Sequence, residues 1–172
     1  LKVKLAATLY TYDGKVKKPA VTVTDAKGKK IASSNYTVTY ASGRKLPGTY
    51  TVKVTMKGDF TGSKTLTFSI RGKQMAVSKL TALSKGFKAT WKKQSYVTGY
   101  QVQYSTSSKF TAKTTKTATI SKNTTVSKTV TKLKAKTKYY VRVRSYKTTK
   151  ISGKSYNVYS AWSKAKAVIT KK

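Results

Sequence analysis

The chain has 172 residues, 38% of them hydrophobic, and sets 38 Lys and Arg against three Asp, with no Glu, His or Cys, for a net charge of +35. This inventory excludes disulfide frameworks and thiolate metal sites, and it leaves general acid–base catalysis almost without candidates. It does not describe a disordered polycation, because the apolar residues, 13 Tyr among them, recur in alternating runs that can bury one face.

Period-two alternation rich in Thr, Val and Tyr runs through the chain and helical spacing is scarce, so the predicted class is all-β. Strands are expected first at residues 2–5, 21–24, 36–40, 50–56 and 64–70. Tyr36, Val38 and Tyr40 would share one face, as would Tyr50, Val52, Val54 and Met56, with Thr and Lys opposite. Asp13-Gly14, the stretch 25–28 and Pro47-Gly48 read as turns. Arg71-Gly72-Lys73 precedes a fresh set of strands at 76–83, 86–91, 99–105, 117–120, 125–130, 138–146 and 165–170, a spacing typical of a sandwich. The expected architecture is therefore two tandem β-sandwich domains, 1–72 and 73–172, joined by a short linker. Charge is uneven between them: 14 basic and three acidic residues in the first, net +11, and 24 basic with none acidic in the second, net +24.

Asp13, Asp25 and Asp59 stand in turn-like contexts, where a carboxylate ordinarily bonds to nearby backbone. Three separated Asp in a field of Lys make a poor cation cage, so neither catalysis nor a metal or other cofactor is expected. No apolar run approaches the roughly 18 residues of a membrane-spanning helix. The opening at Leu1 rather than Met reads as a segment of a larger protein. Mutual repulsion favours a monomer, and the same field attracts polyanions, both effects fading as salt screens them.

The second half carries a more specific signal. Trp91 in KATWKK, the strand GYQVQYS, the run LKAKTKYYVRVRSY with Leu133, Thr137, Tyr139, Val141 and Val143, and AWSKAKAV around Trp162 resemble a fibronectin type III domain over about residues 75–172. The resemblance implies that the Tyr139 hydroxyl bonds back to the preceding turn; the family's usual proline after Leu133 is absent. The first half, with YTYDGKVKKPAVTV, YTVTY and GDFTGSKTLTFSI, is similar to immunoglobulin-like repeats of Gram-positive surface proteins. Together the two resemblances imply an extracellular spacer, adhesin or cell-wall-associating role, for which fold alone is no proof.

In the fibronectin-like register Val141 and Val143 point inward, so Tyr140, Arg142 and Arg144 point outward. Gln101 and Gln103 would flank this row on one side, Lys164 and Lys166 on the other. Such a face suits phosphate or sulfate oxygens; the same alternation also describes an ordinary solvated outer face. A second candidate is the expected loop 147–159, where Lys147, Lys150 and Lys154 can meet phosphates while Tyr156 and Tyr159 stack on sugars or bases. Those two Tyr can equally cover the open end of the core. The partner expected is an anionic polymer, teichoic acid or an acidic host glycan, with nucleic acid incidental because no base-reading motif is present. The competing reading is a passive spacer.

Overall fold

The computed structural model describes residues 1–172, all-β apart from one 3-10 turn at Ser33–Asn35. The chain divides into two compact units, Leu1–Arg71 with Thr149–Val158, and Gly72–Thr148 with Tyr159–Lys172.

The first unit contains β1 (Lys2–Leu5), β2 (Leu9–Thr11), β3 (Val21–Thr24), β4 (Tyr36–Tyr40), β5 (Gly48–Met56) and β6 (Ser63–Arg71). β1 and β3 pair antiparallel, while the others form a four-stranded sheet in the order β2-β6-β5-β4, with β2 parallel to β6. Alternation on β5 and β6 buries Val52, Val54, Phe68 and Ile70, and Leu5 and Val21 of the two-stranded sheet pack against the cluster of Val52, Phe68 and Ile70. Each such buried side chain contributes about 1.5–3 kcal/mol of transfer free energy. The rings of Tyr10 and Tyr50 brace Phe68 at 5.8 and 5.7 Å. Two of the three carboxylates hold turns: Lys15 N–H donates to Asp13 Oδ1 at 2.8 Å, and Lys29 N–H to Asp25 Oδ1 at 2.9 Å.

From residue 72 onward the strands are β7 (Val77–Leu83), β8 (Gly86–Trp91), β9 (Gly99–Ser105), β10 (Thr115–Ile120), β11 (Ser127–Val130), β12 (Lys138–Ile151), β13 (Lys154–Tyr159) and β14 (Lys166–Ile169). One sheet is ordered β11-β8-β7; the other is β10-β9-β12, with both β13 and β14 paired to β12. Phe87, Ala89 and Trp91 from one sheet meet Tyr100, Val102, Val141 and Val143 from the other in a single buried cluster. Tyr100 secures its polar end by donating to Asn123 O and accepting from Gln94 N–H, both at 2.9 Å. Tyr139 Oη accepts from Lys134 N–H at 3.4 Å, the backward bond its family resemblance implied.

The stretch 147–159 is not a loop, contrary to expectation. β12 continues through Ile151, reverses at Ser152-Gly153 and returns as β13. Both turn residues have positive φ, +49° and +80°, the handedness whose twist matches that of the flanking strands in a two-residue hairpin. Its distal part, Thr149–Val158, belongs to the first unit.

Candidate functional site

The outer face of β12 organises the second unit's polar surface. Val141 and Val143 are buried, so Arg142 and Arg144 project from the opposite side. The antiparallel register with β9 sets Arg142 against Gln103 and Arg144 against Gln101. Gln103 Oε1 accepts from Arg142 Nε and Nη2 at 2.9 and 2.6 Å; Gln101 Oε1 accepts from Arg144 Nε and Nη2 at 2.9 and 2.7 Å. The amide nitrogens then donate to Thr117 and Thr119 on β10, at 3.1 and 3.3 Å. One side of the expected row is therefore present, engaged in a network running across three strands.

The other side is formed differently. After β13, Ser160 N–H donates to Ser145 O at 2.9 Å while its hydroxyl accepts from Ser145 N–H at 3.0 Å. Three residues on, Ser163 repeats both bonds with Val143, at 2.9 and 3.0 Å. A three-residue step along this segment thus answers a two-residue step along β12, and the surplus residue lifts Ala161-Trp162 off the ladder as a bulge does. The Trp162 ring consequently lies between the guanidiniums, 4.7 Å from Arg142 Cζ and 4.3 Å from Arg144 Cζ. Phe110 covers Arg142 from beyond at 3.9 Å, and Tyr159 covers Arg144 at 3.7 Å. Three rings and two cations alternate, each contact of the kind that contributes about 0.5–2 kcal/mol. Burial pushes both guanidinium pKa values below the usual arginine value, and at Arg144 Tyr159 opposes that shift while Arg142 adds to it.

Lys164 and Lys166 do not flank the Arg row. The same step mismatch places Lys166 opposite Val141, and its Nζ reaches Ser78 O at 3.4 Å; Lys164 is exposed just beyond the serine clip. Tyr140 is half-buried on the outer face, with Lys138 Nζ 5.5 Å from its ring. Lys147 is half-buried, whereas Lys150, Lys154 and Tyr156 are exposed along the β12–β13 hairpin. No three His, Cys, Asp or Glu side chains gather anywhere as a possible metal site. The chain holds a single ion pair, Lys17 to Asp13 at 2.5 Å, which together with the Lys15 backbone bond lowers the Asp13 pKa.

The family profile described as the fibronectin type III domain matches residues 73–161, covering β7 through β13 and the first serine of the clip. The chain belongs to the fibronectin type III family. Among the solved structures that this fibronectin type III chain resembles are two from chicken. One comprises the FN1–FN3 domains of chicken CNTN1, at 20% identity and TM-score 0.48, over 74% of this chain and 42% of that one. The other is a two-domain fibronectin type III segment of chicken tenascin, at 18% identity and TM-score 0.42, over 72% of this chain and 65% of that one. The chain thus spans less than two thirds of either structure. A search of curated protein sequences returned no match.

Within the fibronectin type III domain, reading the sequence located the Arg–Gln rows but not the rings that complete them. Phe110 comes from the β9–β10 connection, Tyr159 immediately precedes the serine clip, and Trp162 lies between its two serines. A signal was available: same-face residues on a strand stand about 6.8 Å apart, and two long Arg side chains at that spacing can splay to admit one flat ring.

Proposed function

We propose that this chain is a non-catalytic extracellular module pair, an immunoglobulin-like repeat followed by a fibronectin type III domain as in Gram-positive surface proteins, that holds anionic polymers electrostatically. The observation carrying this reading is charge left uncompensated: of 38 basic residues one is ion-paired, and no acidic side chain exists between residues 73 and 172. Folded layers coated this way create a positive potential that concentrates polyanions before any specific contact forms. The guanidiniums of Arg142 and Arg144 already stack and bond internally, so lysines supply the attraction. Lysine is a compact, hydrated point charge, suited to weakly selective contact with phosphate or sulfate along a flexible chain. Teichoic acid of the wall or an acidic host glycan meets this description.

The test is retention on purified cell walls with and without teichoic acid, beside heparin and DNA columns at matched salt. Retention on anionic walls is expected to fall steeply between about 0.05 and 0.2 M salt, as counterion release requires. Equal, weak retention on all supports would leave a passive spacer.

A further inference from the structure

Away from the Arg ladder, one end of the second unit opens into a cleft of about 400 Å³. Its floor is aromatic: Tyr104 and Tyr139 meet edge to face at 6.4 Å, with Tyr104 also against Phe87 at 5.6 Å. One wall comes from the start of β10 and the turn before it, with Lys113, Thr114 and Lys116; the other is the β11–β12 connection, with Lys132 and Lys134.

Lys116 is directly opposite Tyr104 in the β9–β10 register, on the face that further along the sheet carries Ala118 opposite Val102 and Ile120 opposite Tyr100. It is thus a charged residue at a core-facing position, where an apolar side chain would continue the pattern. Lys132 adopts φ +59°, a backbone conformation uncommon outside glycine, Asn and Asp, so the connection turns sharply at the residue that brings this second lysine to the wall. The Lys134 backbone N–H fixes that connection to Tyr139 Oη. No ammonium in the cleft is ion-paired, the chain's one ion pair being Lys17 with Asp13. Four lysines line one concavity, where like charges repel one another unless an anion enters, and a concave wall of low dielectric focuses their field on the space between them.

We infer that this cleft is an anion-binding subsite that takes a tetrahedral oxyanion, a phosphate or sulfate ester carried on a sugar or polyol unit. The inference deepens the polyanion reading and rests on it. Lysines without an arginine fork favour charge density over the planar geometry of a carboxylate, and this unit's two arginines are engaged elsewhere. The Tyr104 hydroxyl has no hydrogen-bond partner within the chain, and burial raises its pKa, so at neutral pH it remains a phenol able to donate to an ester oxygen. The tyrosine floor offers an apolar surface for the attached sugar or polyol.

The experiment uses the whole chain at low salt. Inorganic pyrophosphate, sulfate and acetate are titrated separately while backbone amide resonances are followed; Thr106 and Thr114 are expected to move with the first two and little with acetate. Affinity for a glycerol-phosphate oligomer and for a sulfated oligosaccharide is then compared among wild type, Lys116→Ser with Lys132→Ser, and a charge-matched control, Lys92→Ser with Lys93→Ser. The cleft pair is expected to weaken binding about tenfold or more, since two charge-assisted contacts are lost, while the control changes it less than about threefold. Whichever oligomer shows the larger loss identifies the ester. Equal weakening in both variants, with shifts spread over the lysine-bearing strands, overturns the cleft and leaves the polyanion reading standing. Failure of the wild type to bind any oxyanion or oligomer overturns both.

Discussion

Replacing Trp162 by Ala removes the shared rung between two cations. The ring sits 4.7 and 4.3 Å from the two guanidiniums, each partly withdrawn from water, so about 1 kcal/mol per contact is a fair central value. Losing the half-buried indole itself adds roughly 1.5 kcal/mol of transfer free energy. The sum, about 3–4 kcal/mol, corresponds to a fall of about 15–25 °C in Tm for a domain of this size. Calorimetry of the transition assigned to the second unit measures it. Packing and cation attraction separate in a double-mutant cycle pairing Trp162→Leu with Arg144→Met: Leu keeps much of the apolar area, and Met keeps the stem without the charge. A coupling of about 1 kcal/mol is expected. A coupling within experimental error of zero would refute the claim that the alternating rings and cations stabilise the face, leaving the stack as mere coverage.

Ser163→Ala deprives the Val143 N–H of its side-chain acceptor and should cost about 1–3 kcal/mol in denaturant unfolding, with the Trp162–Arg142 contact loosened in the same variant. Gly99→Ala would place a Cβ 2.0 Å from Ile120 O, a backbone atom that cannot move aside; a loss of about 1–3 kcal/mol or more, or failure to fold, is expected, read by circular dichroism and calorimetry. Burial raises the Tyr104 pKa above 10, with Tyr139 adding to the shift, so the stability it contributes is whole below pH 10 and is lost as pH climbs through its folded pKa. Phenolate absorbance should therefore show a late-ionising fraction that Tyr104→Phe diminishes.

Most of the fold was legible because alternation is local. The strands at 21–24, 36–40, 86–91 and 99–105 announce themselves by side chains two residues apart, and the structure places them at those bounds. β2 escaped notice because three residues, Leu9–Thr11, are too few to show a period, and their partner β6 lies some sixty residues away in parallel. The β12–β13 hairpin was missed for another reason: Ser152-Gly153 is a turn signal, but polar residues on both sides hid the strands it joins. The site was half legible. Parity put Arg142 and Arg144 on the outer face and topology put Gln101 and Gln103 beside them. Which group lay on the far side depended on Ser160 and Ser163 bonding at three-residue intervals, and nothing in simple alternation predicts that mismatch. Nor does a strand pattern reveal that Lys116, in line with Ala118 and Ile120, stands opposite Tyr104 at the wall of a cleft floored by Tyr.

The serine clip has a bearing on solubility. Between Val143 and Ser145 both the donor and the acceptor of each β12 residue facing the clip are taken, yet the segment taking them is not itself a strand. The sheet margin there offers no vacant row on which a foreign chain could add itself, and it is closed without help from charge. On the function proposed above, that matters when a polyanion settles on the lysines. Neutralisation would remove the mutual repulsion of like-charged copies, and a margin guarded only by lysine would then be open to fibril-like accretion. A margin shut by hydroxyls stays shut, so this stretch of β12 keeps its backbone covered whatever happens to the charge around it.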